Sequence, residues 1–184
     1  MIAAFNNAFL LIVRSLFDVA LSLFLVRMLL QALRADFYNP ISQMVWRVTQ
    51  TVAAPLQRLL PRAGRFDIAC ALILYALSLI YIEAVSSMLG MSLGILSAAW
   101  FALLEIIMLL LKLYTLFMLV QAILSWVGPG VSNPAANILW SLNEPLLRPV
   151  RRIIPPMSGL DFSPLIVMLL LQVLVLFVPL PGLF

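Results

Sequence analysis

Six ionisable side chains interrupt otherwise apolar stretches of the sequence, and they are the residues best placed to do chemistry. They are Arg14, Asp18, Arg27, Glu83, Glu105 and Lys112. A charge inside a bilayer is costly, so such residues usually pair with one another or line a path for protons or ions. Arg27 and Glu105 lie nearer to the ends of their stretches, where we expect them to reach water. The candidate buried charges are therefore the other four, Arg14, Asp18, Glu83 and Lys112.

Two uses of these four charges stay open, a structural network of ion pairs and a pathway for protons or ions. An enzyme active site is disfavoured, since the 184 residues contain no histidine and a single cysteine, Cys70. Without histidine or a second cysteine, the chain cannot build Ser-His or Cys-His catalysis, a His-ligated zinc site, bis-His haem or an intrachain disulfide. We expect no catalytic, cofactor-binding or metal-binding residues.

The composition places these charges in a membrane protein. Hydrophobic residues make up 65% of the chain and charged residues 10%, and the mean hydropathy is +1.15. A soluble domain cannot bury so much apolar surface, so an all-α integral membrane protein is predicted. The net charge of +4 does not indicate nucleic-acid binding, because most basic residues lie in two stretches that border the predicted spans.

These two stretches, residues 39–67 and 133–161, align without a gap at an offset of 94 positions. The landmarks of the first are Asn39, Pro40, Trp46, Pro55, Arg58, Pro61 and Asp67. The matching landmarks are Asn133, Pro134, Trp140, Pro149, Arg152, Pro155 and Asp161, and the second stretch adds Pro145, Arg148 and Arg151. The apolar positions also coincide, with the 3.6-residue spacing of an amphipathic helix. This agreement predicts an internal duplication.

The duplication predicts two parallel repeats, each made of a span, an amphipathic linker helix and a second span. Repeat one covers residues 1–94, with spans at about 9–33 and 68–88 and a linker at 39–66. Repeat two covers residues 95–184, with spans at about 101–127 and 162–180 and a linker at 133–160. Two crossings per repeat return the chain to its starting side, so four transmembrane helices share an axis along the membrane normal. Asp18 and Lys112 are then equivalent, and we expect their side chains to pair between the repeats. The alternative is that Arg14, one helical turn away, pairs with Asp18 and that Lys112 turns to Glu83 or Glu105.

Proline is expected to shape both linker helices. Asn39 and Asn133 are suitable N-caps, each followed by a proline in the first turn. Pro55 in the first linker, and Pro145 and Pro149 in the second, are expected to kink or break the helix. The default place for such a helix is the membrane interface, with its arginines toward anionic headgroups. A re-entrant position within the bundle and a docking site for a partner stay open.

Three short motifs in the linkers carry a resemblance to a known family. FYNP at residues 37–40 precedes the first linker, and NEPLLRPVRRIIP at 143–155 and GLDFSP at 159–164 lie in the second. With these motifs the chain resembles the YggT family of bacterial inner-membrane proteins, from about residue 17 to 180. The first copy departs from the second, with Ala54 and Gln57 where Arg148 and Arg151 stand. We therefore expect the second linker to bind anionic lipid at least as well as the first.

The resemblance implies a bacterial inner-membrane protein similar to chloroplast YlmG-type proteins. The chloroplast proteins are linked to cytochrome cofactor assembly and to the organisation of division or nucleoids. The bacterial members of the family are linked to osmotic or ion homeostasis. We expect a non-enzymatic scaffold or assembly factor that contacts anionic lipid headgroups and forms a homo-oligomer or binds a membrane-protein partner. The alternative is a small oligomeric transporter or channel component for osmotic or potassium homeostasis, which uses Asp18, Glu83 and Lys112.

The positions of the arginines predict the orientation of the chain. The linkers and their borders carry Arg34, Arg47, Arg58, Arg62, Arg65, Arg148, Arg151 and Arg152. The segments on the other side of the predicted spans carry no lysine or arginine. An excess of basic residues marks the cytoplasmic side, so both linkers are expected there and both termini outside.

This orientation predicts the outcome of thiol labelling. A cysteine placed at Arg62 or Arg151 should be protected from a membrane-impermeant thiol reagent in intact cells. It should react once the membrane has been opened. Labelling of either position from the outer side would contradict the predicted orientation.

Overall fold

Helices account for all the regular structure in the described parts of the chain. The computed structural model describes residues 2–60, 67–127, 133–154 and 161–180. These ranges hold α1 (Ile2–Ala32), α2 (Pro40–Leu59), α3 (Ile68–Met88), α4 (Ile95–Val127), α5 (Pro134–Ile153) and α6 (Ser163–Phe177), and no strand. The all-α prediction is confirmed. Pro61, Arg62, Arg65 and Pro155 lie outside the described residues.

Within the described ranges, three helices are long and apolar enough to cross a membrane. They contain the segments Phe5–Ala32, Ile68–Met88 and Ile95–Leu124. α6 is apolar but has only 15 residues, about 22 Å as an α-helix, against a hydrocarbon core of about 30 Å. It is shorter than the predicted span at 162–180, because Pro179 favours an extended conformation at the preceding Val178, where φ is −78° and ψ is 112°.

The buried core joins both linker helices to the long helices. Leu21 of α1, Ile82 of α3 and Ala102 of α4 are fully buried in the largest apolar cluster. A second cluster joins α1, α2 and α5 through Leu30, Val45, Ile138 and Leu142. A third joins α4, α5 and α6 through Met118, Leu147, Val167 and Leu171. α2 and α5 therefore lie against the bundle and also contact each other.

Both linker helices run through the prolines that were expected to break them. α2 continues past Pro55, and α5 past Pro145 and Pro149, so these prolines do not break the helices. All three prolines are exposed, as are Thr51 and Ser141, each four residues before a proline. A carbonyl that loses its helical partner on an exposed face can bond to solvent or headgroups, so the proline costs less there than in the core.

The turn after α1 holds an arginine in the left-handed conformation. Arg34 has φ 54°, its N–H donates to the carbonyl of Gln31 at 3.3 Å, and Ala35 N–H donates to the carbonyl of Leu30 at 3.0 Å. This is a Schellman motif, in which glycine usually takes the left-handed position. α3 ends in the same way with Gly90, at φ 71°. An arginine there costs about 1–2 kcal/mol relative to the right-handed conformation.

The two linker helices begin side by side. Asn39 accepts a hydrogen bond from Ile41 N–H at 3.0 Å and donates to the carbonyl of Pro134 at 2.7 Å. Asn133 accepts from Ala135 N–H at 2.9 Å. Both asparagines therefore cap their helices as predicted. Asn39, which is only 5% exposed, also ties α2 to the first residue of α5.

This difference between the two caps predicts unequal losses of stability. Asn39→Ala and Asn133→Ala should each cost about 1 kcal/mol for the lost cap. Asn39→Ala should cost a further 0.5–1.5 kcal/mol or so, because it also removes the hydrogen bond to the carbonyl of Pro134. Thermal unfolding of both variants in mild detergent measures the difference. Equal losses would show that the Asn39–Pro134 bond does not stabilise the protein.

Candidate functional site

Arg27 is buried beneath the first linker helix. It is 2% exposed, and its Nη1 and Nη2 donate to Thr49 Oγ1 at 2.9 Å and Gln50 Oε1 at 2.7 Å. Nη2 also lies 3.6 Å from Asp67 Oδ2, and the guanidinium carbon lies 5.9 Å from the centre of the Trp46 ring. The expectation that Arg27 reaches water is wrong, because α2 covers it and supplies polar partners.

Asp67 closes the polar network around Arg27. It accepts hydrogen bonds from Gln57 Nε2, from Cys70 N–H at 3.3 Å and from Cys70 Sγ at 3.2 Å. Gln57 in turn accepts from Gln50 Nε2 at 2.9 Å. Burial acts to raise the pKa of Asp67, but the bonds from Cys70 and Gln57 and the charge of Arg27 together bring this pKa below its ordinary value. The carboxylate is therefore ionised at neutral pH.

Arg151 forms the corresponding network in the second linker. Its Nε and Nη2 lie 2.9 Å from Asp161 Oδ2, and its Nη1 lies 2.8 Å from Glu144 Oε2. The guanidinium carbon lies 5.4 Å from the centre of the Trp140 ring. Burial acts to raise the pKa of Asp161, but hydrogen bonds from Ser163 and Arg151, with the charge of Arg151, bring it below its ordinary value.

The two networks place an arginine and a glutamine in exchanged positions. At the offset of 94, Arg27 corresponds to Gln121 and Gln57 to Arg151. The arginine that faces the aspartate therefore comes from α1 in the first half and from the linker helix in the second. Gln121 still meets the linker helix, because it accepts from Asn143 Nδ2 at 2.6 Å. We call the Arg27–Asp67 and Arg151–Asp161 contacts the linker clamps.

Four charges were predicted to be buried, and the structure distributes them differently. Asp18, Glu83 and Lys112 lie on the exposed surface of the chain, and Arg14 is half-buried. Glu105 is buried instead, at 3% exposure, so the expectation that it reaches water is wrong; α4, which carries it, packs on α3 and α1. Lys112, Asp18 and Arg14 act electrostatically on Glu105. Within the described residues, Asp18 and Lys112 form no direct ion pair.

The remaining landmark residues either start helices or lie on the surface. Pro40 and Pro134 are the first residues of α2 and α5. Arg58, Arg148 and Arg152 are exposed on the linker helices. In the ranges that the structure describes, no group of three or more Asp, Glu, Cys or His side chains could hold a metal ion. The linker clamps join helices by charge and hydrogen bonds.

Sequence reasoning missed the polar partners of the two arginines. Thr49, Gln50 and Gln57 are uncharged residues on a surface helix, and such residues usually face water. The signal that could have found them is the exchange of arginine and glutamine between the two copies. When a substitution at one position is compensated by a substitution at another, the two positions are expected to contact a common partner.

Comparison with known proteins places the chain beside bacterial relatives. The family model described as CCB3/YggT matches residues 6–88 and 100–181. The protein named "Uncharacterized protein YggT" of Escherichia coli K12 is 43% identical over 151 residues, which are 82% of this chain and 78% of that protein. An uncharacterized Pseudomonas aeruginosa protein is 34% identical over 171 residues, 92% of this chain and 87% of its own. No solved structure gives a significant match.

The exchanged positions predict a compensating pair of substitutions. Arg27→Gln removes the cation from a buried pair and should lower the free energy of unfolding by about 3 kcal/mol. Adding Gln57→Arg reproduces the arrangement of the second half and should restore most of that loss. Arg47→Gln, the same chemical change on the exposed face of α2, should cost less than about 0.5 kcal/mol. Unfolding in mild detergent measures all three, and additive losses in the double variant would contradict the exchange.

Proposed function

Since the chain belongs to the CCB3/YggT family, we propose that it is a non-enzymatic membrane scaffold or assembly factor. The observation that carries the proposal is the pair of linker clamps. In each half an arginine holds the linker helix against the residue that precedes the next apolar helix. Charged residues that hold helices together in this way would make the bundle rigid. A rigid bundle would give a partner protein a fixed surface on which to assemble.

The proposed architecture has four spans in two parallel repeats. The two segments that match the family model begin at residues 6 and 100, which keeps the offset of 94. The two linker helices, α2 and α5, have the same length of 20 residues. Each linker helix also contacts the apolar helix before it and the one after it. The fourth crossing would consist of α6 together with the extended residues that follow it.

The linker helices are proposed to lie in the membrane interface on the cytoplasmic side of the bacterial inner membrane. α2 exposes the apolar side chains of Met44, Val48 and Val52 beside the exposed Arg47. A helix that exposes both kinds of residue is suited to the boundary between acyl chains and headgroups. Trp46 and Trp140 are each partly exposed and would anchor the helices at that depth.

A partner within the membrane is also part of the proposal. Asp18 and Lys112 lie on the exposed surface of helices that are apolar enough to span the bilayer. Facing lipid would be costly for both charges. A second copy of the chain or another membrane protein, packed at this surface, would remove that cost.

The second candidate is a small oligomeric transporter or channel component. The buried Glu105, with the charges of Lys112, Asp18 and Arg14 acting on it, is the observation that favours it. In this function Glu105 would line the path together with Asp18, Lys112 and the exposed Glu83 of α3. Four helices enclose little space, so the path would form between chains.

Reconstitution in liposomes decides between the two candidates. For a scaffold, the flux of potassium, sodium and protons should equal that of empty vesicles, and Lys112→Met and Glu105→Gln should leave it unchanged. Arg47→Gln serves as the matched surface control. A flux above that of empty vesicles, abolished by Lys112→Met or Glu105→Gln and kept in Arg47→Gln, would refute the scaffold and support the transporter.

A further inference from the structure

A pocket of about 410 Å³ lies between the end of α1 and the first linker helix. Its polar lining consists of Arg27, Gln31, Arg34 and Ser42. Phe37 and Trp46 form an aromatic wall, with ring centres 6.0 Å apart in an edge-to-face arrangement. The two rings are 55% and 39% exposed, so the wall continues onto the outer surface of the protein.

Three buried polar atoms in this lining have no hydrogen-bond partner among the described residues. They are Arg27 Nε, Gln31 Oε1 and Ser42 Oγ. Arg27 and Ser42 are 2% and 5% exposed as whole residues. Buried polar groups are nearly always paired, so a cluster of such groups indicates a partner from outside the chain. Arg27 Nε can only donate, Gln31 Oε1 can only accept and Ser42 Oγ can do both, so that partner offers acceptors as well as donors.

The backbone conformation of Arg34 is a separate observation that points to the same pocket. Its φ of 54° is one that glycine adopts readily and arginine rarely. The corresponding residue of the second half is Gly128, and Gly90 fills the same position after α3. A long basic side chain thus occupies a turn position that favours glycine, at the rim of the pocket. Strain of this kind is concentrated at ligand-binding positions.

The polar lining belongs to the first half alone. Gln31, Arg34 and Ser42 correspond to Ser125, Gly128 and Ala136 in the second half. Those residues supply neither the guanidinium nor the amide. The guanidinium and amide groups of this lining are therefore particular to the sequence of the first half.

We propose that this pocket binds the phosphodiester and hydroxyl groups of an anionic phospholipid headgroup, of the phosphatidylglycerol type. Arg34 and Arg27 Nε would donate to the phosphate oxygens, and Gln31 Oε1 and Ser42 Oγ would bond to the headgroup hydroxyls. The aromatic wall would lie against the glycerol backbone and the first methylene groups of the acyl chains. The inference rests on the proposed function in one respect: the proposed interfacial position of the linkers brings the end of α1 to the membrane surface.

Charge favours an anionic headgroup over a zwitterionic one. The charge of Arg27 is offset by Asp67, whereas Arg34 forms no ion pair within the described part of the chain and so contributes an uncompensated positive charge at the pocket rim. A choline headgroup has no hydroxyl or N–H to donate to Gln31 Oε1. The first linker therefore holds the selective site, although the second has the denser group of arginines, of which Arg151 is already bound to two carboxylates.

Lipid titration of the purified full-length chain in detergent tests this assignment. Phosphatidylglycerol should bind about tenfold more tightly than phosphatidylcholine. Arg34→Gly should remove most of that preference, because the loss of one arginine should weaken phosphatidylglycerol binding about five- to tenfold. Without lipid, the unfolding temperature of Arg34→Gly should be unchanged or higher, because glycine suits the turn. Ser42→Ala, which introduces the residue of the second half, should also weaken phosphatidylglycerol binding.

Three results would overturn the assignment. The first is that the Arg34→Gly variant binds phosphatidylglycerol with the same affinity as the unchanged chain. Another is competition by soluble glycerol 3-phosphate as strong as that of the lipid, which would show a site for a free anion. The third is a loss of the preference in the double variant Arg148→Gln and Arg152→Gln as large as that in Arg34→Gly, because these two exposed charges on α5 lie outside the pocket lining and should affect lipid selectivity less than Arg34 does. Ion flux is measured separately, so failure of the scaffold proposal and failure of the lipid site are distinguishable.

Discussion

The arrangement of the chain depends on one carboxylate in each half. Asp67 accepts from the backbone of Cys70 in the first turn of α3, and Asp161 accepts from Ser163 at the start of α6. The same carboxylates hold Arg27 and Arg151. Because breaking a buried ion pair leaves an uncompensated charge, a single carboxylate in each half ties together the start of an apolar helix, the position of an arginine and the placement of a linker helix.

Local rules predicted the elements and failed where one helix covers another. The N-caps at Asn39 and Asn133 and the helix at 68–88 follow from residue types within a few positions of each boundary. The effect of Pro55 depends on the face of α2 that carries it, which its neighbours in sequence do not determine. Arg27 and Glu105 were predicted to reach water on the assumption that only lipid and water surround the helices that carry them. Neighbouring helices bury both residues instead, and hydrophobic periodicity does not reveal that contact.

The two halves share a frame but differ in chemistry. The same helices recur with the same contacts, while the arginine of the linker clamp changes its element. The first half has Arg34 and a pocket with polar walls, where the second has Gly128 in its sequence. Similar packing with different polar side chains would let one half keep the fold while the other carries the proposed binding surface.

The bond from Asn39 to the carbonyl of Pro134 joins residues 95 positions apart, and this separation bears on biosynthesis. A nascent chain that ends before residue 134 holds the whole first half but lacks the acceptor for the Asn39 amide. The first linker helix is therefore synthesised early, but its contact with the second linker helix can form only after that helix has been synthesised. The bond between the two linker helices can therefore form only after the whole first half has been synthesised.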